Sequence, residues 1–135
     1  MLERRDFLKG TAVTVAALAL GVGNNADASQ SASFNGIIYT KDSQGKWEGK
    51  AGSHAPEVSV QGAKIMVKTN HPISDAHFIV RHTVVLEDGT VVGAKTFTPK
   101  DKPESSFELP AGYKGKVYAT SFCNLHDFWL TESSA

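Results

Sequence analysis

Residues 78–98 read FIVRHTVVLEDGTVVGAKTFT, and this stretch decides the class of fold. A run rich in valine at 78–86 is followed by the turn sequence EDGT at 87–90, and residues 91–98 return with a similar composition. β-Branched residues favour strands, and an Asp-Gly step between two such runs is a strong signal for a tight hairpin. The stretch therefore predicts two adjacent antiparallel strands.

The chain on either side of this hairpin consists of similar short runs separated by turn residues. Further strands are predicted at residues 36–40, 57–60, 63–69, 105–109 and 116–123. No convincing 3.6-residue apolar period interrupts them, so helices are not expected to form the core. The pattern predicts an all-β fold, an immunoglobulin-like antiparallel β-sandwich of about seven strands, preceded by a cleavable signal peptide.

Length, charge and cysteine content narrow the class of protein. The 135 residues suit a single domain. The 14 lysines and arginines balance 14 aspartates and glutamates. A nucleic-acid binder or a polybasic membrane patch would show a clear basic excess, so we expect neither partner. Cys123 is the single cysteine, so no disulfide within the chain is possible.

The first 28 residues have the features of an export signal. The sequence RRDFLK at 4–9 resembles the twin-arginine signal of bacteria and archaea, and the apolar run at 11–22 is shorter than the about 20 residues of a membrane span. The small-x-small pattern ending at Ala28 predicts cleavage after that residue. An N-terminal helix of the folded domain is the alternative, but the apolar run lacks an amphipathic period. We expect a signal peptide at 1–28, one domain at 29–135 and a periplasmic location.

Four of the five histidines and the lone cysteine fall in three short segments. Cys123 and His126 form a Cys-x-x-His pair, His71 and His77 are six residues apart, and His54 precedes an Ala-Pro step. One thiolate with several imidazoles fits iron or copper at least as well as zinc. A lone cysteine in an exported protein needs an intermolecular partner or a ligand role. The three segments therefore predict a metal site.

These segments resemble those of the superoxide reductase family, which includes neelaredoxin and desulfoferrodoxin. CNLHDFW at 123–129 is similar to the family's Cys-Asn-x-His-Gly-x-Trp signature, and HPISDAH at 71–77 is similar to its His-Pro-x-x-x-x-His segment. SHAP at 53–56 resembles the family's Glu-Lys-His-x-Pro loop, and GKVYA at 115–119 resembles the approach to its cysteine. The matched segments occur in the family's order and together form a specific signal.

The resemblance implies a mononuclear non-haem iron site (Fe2+/Fe3+) and superoxide reductase activity. It implies four equatorial imidazoles and an axial thiolate, with one position open to superoxide; by resemblance the ligands are His54, His71, His77, His126 and Cys123. The implied reaction is one-electron reduction of superoxide to hydrogen peroxide as Fe(II) becomes Fe(III). An unidentified periplasmic electron donor would then restore Fe(II). Family members are commonly dimers or tetramers, so a homo-oligomer is possible.

Three departures from the family pattern bear on this expectation. Gly52 and Ser53 stand where the family has glutamate and lysine, and Lys50 or Glu48 is the nearest charged substitute. Asp127 stands where the family has glycine, and its carboxylate either accepts a hydrogen bond from an imidazole or faces solvent. The chain also lacks a four-cysteine centre, so a one-iron form is expected.

Two other hypotheses for the function are also consistent with the sequence. The missing glutamate and lysine leave room for a non-catalytic periplasmic metal-binding or electron-transfer module on the same scaffold. A zinc or copper site made from a subset of the ligands is the other. His82 is expected outside the site, on a sheet surface or in a satisfied hydrogen bond. Trp129 and Phe128 are expected to pack around the site, and Trp47 and Tyr39 carry no functional expectation.

Overall fold

The computed structural model describes residues 36–135, and the predicted signal peptide and its cleavage point lie outside this range. The elements in chain order are β1 (Ile38–Tyr39), a 3₁₀ turn (Gly45–Trp47), α1 (Ala51–His54), β2 (Glu57–Gln61), β3 (Lys64–Lys68), β4 (Ile79–Leu86), β5 (Val91–Thr96), β6 (Glu104–Glu108), β7 (Lys116–Cys123) and β8 (Asp127–Ser134). No helix in this part of the chain is long and apolar enough to cross a membrane.

The strands form two sheets with the core between them. One sheet has the order β1-β8-β7-β4-β5 and the other has the order β2-β3-β6. Neighbouring strands are antiparallel except β1, which pairs in parallel with β8. The core contains side chains of both sheets: Ile65, Val67, Val84, Leu86, Leu109, Val117 and Ala119. This architecture confirms the predicted all-β sandwich.

The hairpin predicted at residues 78–98 is present as β4 and β5. The backbone N–H of Leu86 donates to the carbonyl of Thr90 at 2.8 Å. The Asp88 carboxylate accepts a hydrogen bond from the N–H of Thr90 at 2.9 Å. Gly89 has a φ of 90°, a left-handed conformation that glycine adopts without a steric penalty. The EDGT sequence therefore reverses the chain as the sequence analysis predicted.

A final strand, β8, was not among the predicted strands. It pairs with β7 along its whole length, and the ladder begins where Cys123 faces Asp127. Trp129 is fully buried, in agreement with its predicted packing role. Phe128 is 44% exposed instead, and its ring lies 4.4 Å from that of Phe122. β8 therefore extends the larger sheet and buries one of the two aromatic residues that follow His126.

Alternation along β7 places the lone cysteine at one end of the sandwich. Val117, Ala119, Ser121 and Cys123 are buried, whereas the residues between them are at least partly exposed. Cys123 is the last of the buried set and faces Ile79 at the start of β4. The sulfur therefore lies where the strands end and the histidine-bearing loops begin.

His82 occupies a fully buried position on β4 between the two sheets. Its Nε2 lies 2.8 Å from the hydroxyl of Thr69, and its Nδ1 lies 2.8 Å from the hydroxyl of Ser105. The Thr69 hydroxyl also lies 2.8 Å from that of Ser121. Burial lowers the pKa of His82 to about 4, and the charge of Lys95 contributes to the decrease. His82 is thus a neutral, hydrogen-bonded core residue, one of the two outcomes that the sequence analysis allowed.

Candidate metal centre

The structure brings the five predicted ligands together at this end of the sandwich. Nε2 of His77 lies 2.9 Å from Nε2 of His71, 2.9 Å from Nδ1 of His126 and 3.2 Å from Sγ of Cys123. Donor atoms of His54, His77, Cys123 and His126 all lie within 4.8 Å of one another. Nε2 of His71 is 3.8 Å from the same sulfur. The loops thus converge on one group of four imidazoles and one thiol.

His54 ends the short helix α1, and its outer nitrogen is fixed by that helix. Its Nδ1 lies 3.1 Å from the carbonyl oxygen of Lys50 and 2.8 Å from the hydroxyl of Ser53. Because a carbonyl can only accept, Nδ1 carries the proton and Nε2 keeps its lone pair. Nε2 is buried and has no hydrogen-bond partner among the described residues. An orphaned buried nitrogen beside other donor atoms is what a metal ligand requires.

His71 is fixed in the same way. Its Nδ1 donates a hydrogen bond to the carbonyl oxygen of Pro72 at 2.6 Å, which leaves the Nε2 lone pair facing the cluster. Such a bond from the second ring nitrogen to a carbonyl sets the orientation of metal-binding histidines generally. His54 and His71 are therefore both held in the tautomer that binds a cation through Nε2.

The loop that carries His77 is fastened to the loop that follows β7. The Asn124 side chain accepts a hydrogen bond from the N–H of Phe78 at 3.0 Å and donates to the carbonyl of Ala76 at 3.0 Å. Ser74 closes the His77 turn, because its hydroxyl accepts from the N–H of His77 at 3.0 Å. Asn124 lies within the CNLHDFW segment at 123–129, where it was not a predicted site residue. The structure shows that it holds His77 beside Cys123.

Burial shifts the pKa values of Cys123 and of three histidines in the cluster. It raises the pKa of the Cys123 thiol, while backbone N–H groups of Leu125 and His126 and the charge of Lys50 oppose the rise. It lowers the pKa of His54 to about 4 and also lowers the pKa of His71 and His126. Neighbouring imidazoles add to these decreases. Neutral imidazoles are the form that binds metals, and a bound cation would displace the thiol proton.

Asp127 and Trp47 form a contact that sequence analysis missed. The Asp127 carboxylate accepts a hydrogen bond from the indole N–H of Trp47 at 3.1 Å and lies 3.7 Å from the ammonium group of Lys46. It makes no hydrogen bond to an imidazole among the described residues. The alternative in which Asp127 accepts a hydrogen bond from an imidazole is therefore wrong. Asp127 has a φ of 65°, a left-handed conformation that glycine adopts most readily. Aspartate tolerates this conformation better than most residues.

The two residues that replace the family's glutamate and lysine have different surroundings. Gly52 is exposed, and a Cβ at this position would meet nothing within 4 Å. Ser53 instead turns its hydroxyl toward Nδ1 of His54. Lys50 is the cation whose charge lowers the pKa of both Cys123 and His126. Glu48 is exposed. Lys50 therefore acts electrostatically on the site, although it lies earlier in the chain than the family's lysine.

A β-sandwich that gathers four imidazoles and a thiol at one end has the architecture of a mononuclear metalloprotein. Residues 46–132 match the family model of desulfoferrodoxin, and the chain therefore belongs to the desulfoferrodoxin family. Iron binding follows from membership of this family, and the donor set described above fits an iron site. Residues 1–21 match the model of the twin-arginine translocation pathway signal sequence, which implies export.

Individual relatives agree with this assignment. The chain is 30% identical over 105 residues to the superoxide reductase of Pyrococcus abyssi, covering 65% of this chain and 90% of the relative. It is 33% identical over 93 residues to the desulfoferrodoxin of Nitratidesulfovibrio vulgaris, covering 67% of this chain and 70% of the relative. The solved superoxide reductase (neelaredoxin) from Ignicoccus hospitalis superposes with a TM-score of 0.64 at 27% identity. The match covers 75% of this chain and 95% of the solved chain. The resemblance found in the motifs is thereby confirmed.

Proposed function

We propose that this protein is a superoxide reductase whose single iron is held by His54, His71, His77, His126 and Cys123. The observation that supports the proposal is the convergence of these five donors, with a buried and unpartnered Nε2 on His54 among the described residues. Kinship with superoxide reductases supports the same reaction class. In this reaction superoxide gains one electron and two protons and becomes hydrogen peroxide.

The donor set explains why such a site suits superoxide. Bound iron supplies the electron by changing between its ferrous and ferric states. Four neutral imidazoles and one thiolate leave the ferrous site with a net charge of about +1, which attracts a small anion. His77 and His126 are only half-buried, so the cluster is close to solvent. The charge of Lys50 adds to the attraction, and water supplies the protons.

The remaining parts of the proposal concern the setting of the reaction. The mature protein begins after Ala28, comprises residues 29–135 and works in the periplasm. A small periplasmic redox protein returns the iron to its ferrous state, and pairing between exposed sandwich edges would produce a homo-oligomer. The match of residues 1–21 to the twin-arginine signal model supports export.

One observation favours a second candidate function. Gly52 and Ser53 lack the charged side chains that the family carries beside the first histidine. The same scaffold would then act as a non-catalytic metal-binding or electron-transfer module, which exchanges electrons with a protein partner and does not reduce superoxide. Lys50 weighs against this candidate, because its charge acts on two of the proposed ligands.

Rapid mixing of the ferrous protein with superoxide separates these functions. The proposal predicts that superoxide disappears faster than it dismutates spontaneously, with one iron oxidised for each superoxide consumed. An oxygen electrode should detect no oxygen from the catalysed reaction. Oxygen evolution would indicate dismutation, and decay at the spontaneous rate would favour the electron-transfer module.

A further inference from the structure

A hydrogen bond between Asp127 and Trp47 joins two loops that carry proposed ligands. The indole N–H of Trp47 donates to the Asp127 carboxylate at 3.1 Å across a sequence separation of 80 residues. Asp127 directly follows His126, and Trp47 lies seven residues before His54. The bond therefore connects the segment of the first histidine to that of the last.

Trp47 also contacts the ring of His126. The two ring centroids are 4.6 Å apart and the ring planes meet at 86°, an edge-to-face arrangement. The backbone carbonyl of His126 accepts a hydrogen bond from the indole N–H of Trp129 at 2.9 Å. His54 and His71 have a ring nitrogen bonded to a carbonyl oxygen, whereas Nε2 of His126 has no such bond among the described residues. The Trp47 ring takes the place of that bond in orienting the imidazole.

The same tryptophan begins the turn that leads to His54. The carbonyl of Trp47 accepts a hydrogen bond from the N–H of Lys50 at 3.0 Å. The carbonyl of Lys50 lies 3.1 Å from Nδ1 of His54. Gln44 closes the loop from the other side, because its side-chain oxygen accepts from the N–H of Ala51 at 3.2 Å. A displacement of Trp47 would therefore change the positions of both His126 and His54.

We propose that Asp127 and Trp47 are positioning residues for the metal site, acting as a clamp that orients His126 directly and His54 through Lys50. The inference rests on the proposed function. Asp127 contributes the carboxylate of the clamp, and its backbone has a left-handed φ of 65°.

Iron loss to an excess of a ferrous chelator tests the clamp. Trp47→Phe keeps an aromatic ring but removes the N–H, and Asp127→Gly removes the carboxylate while suiting the left-handed backbone. Each should accelerate iron loss by about 10- to 100-fold, the range for loss of a group that orients a ligand. The double variant should lose iron no faster than the faster single variant, because both changes break one bond.

Two further variants separate the clamp from a general structural role. Asp127→Asn keeps a hydrogen-bond acceptor, so it should stay within about twofold of wild type if the bond matters. Lys46→Met removes the exposed ion pair to Asp127 and the contact of the Lys46 ammonium group with the Trp47 ring, 4.8 Å from its centroid, and it should change little. Additive effects in the double variant, or equally fast loss from Asp127→Asn and Asp127→Gly, would overturn the clamp.

The failure of the clamp can be told apart from the failure of the proposed function. If wild-type protein retains no iron, the proposed function fails and the clamp fails with it. If wild type retains iron and both single variants release it at the wild-type rate, only the clamp is wrong. Asp127→Gly gives this answer even if Trp47→Phe does not fold.

Discussion

Nε2 of His77 lies 3.2 Å from Sγ of Cys123, although 46 residues separate them along the chain. Asn124 produces this proximity, because its side chain bonds the backbone on both sides of His77 at Ala76 and Phe78. The pairing of Ile79 with Cys123 then fixes the position of the loop against β7. The contact between imidazole and sulfur thus follows from the sheet register and one asparagine.

The contacts of His77 predict that it is essential for metal retention. Its Nε2 touches donor atoms of His71, Cys123 and His126, so His77→Ala should weaken iron binding by more than the about 10- to 100-fold cost of losing an outer partner. Iron per chain after anaerobic loading and desalting is the measurement. Asp75→Ala, an exposed change in the same loop, is the control. Equal iron retention by both variants would remove His77 from the ligand set.

Lys50 should increase the rate of reaction with superoxide. Because its charge acts on Cys123 and His126, Lys50→Met should slow superoxide consumption several-fold at low salt. The difference should shrink as salt rises, since exposed charges are screened over about 10 Å at 0.1 M ionic strength. Lys64→Met, at the far end of β3 from His71, is the matched control. A rate that is unchanged by Lys50→Met at all salt concentrations would contradict the role of this charge.

His82 should make the metal-free protein less stable in mild acid. Its folded pKa of about 4 lies below the ordinary value of 6.5, so the unfolded chain binds the proton more readily. The contribution of neutral His82 to the free energy of unfolding is complete above pH 6.5. It decreases as the pH falls from 6.5 to 4, by up to about 3 kcal/mol. Chemical unfolding at several pH values measures it.

His82→Gln should make this pH dependence smaller. His54 has a pKa lowered to about 4 and contributes in the same direction, so the dependence should decrease without vanishing. Identical pH profiles for wild type and His82→Gln would show that the buried histidine is not a source of acid sensitivity.

Close packing between the sheets predicts that a side chain at Gly93 destabilises the fold. A Cβ at this position would overlap the ring of Phe107, so Gly93→Ala should lower the free energy of unfolding by about 1–3 kcal/mol. Gly52→Ala is the control, because its Cβ would meet open space within α1. That change should be neutral or stabilising by up to about 1 kcal/mol. Equal stability of the two variants would contradict this packing.

The sequence predicted most of the sandwich because its signals are local. The hairpin at residues 78–98 needed only strand propensity and an Asp-Gly turn, and β7 has the predicted bounds of 116–123. β8 was missed because its polar residues give no clear alternation, and its strand form depends on pairing with β7.

The candidate site was predictable to a different degree for each residue. Motif order identified four of the five histidines and Cys123 as candidates, and the structure brings them together. The contact of Trp47 with Asp127 spans 80 residues, so no local pattern could indicate it. Asp127 gave one signal, since it stands at a position where the family has glycine. That substitution indicates a left-handed backbone, but it does not indicate which side chain the carboxylate meets.

The most direct test of the central claim is metal content with visible and EPR spectra, for wild type and Cys123→Ser. We expect about one iron per chain, and a low-energy thiolate-to-iron(III) band after oxidation that is absent from Cys123→Ser. Zinc, copper or no metal in the wild type would contradict it. An unchanged band in Cys123→Ser would show that this thiolate is not a ligand.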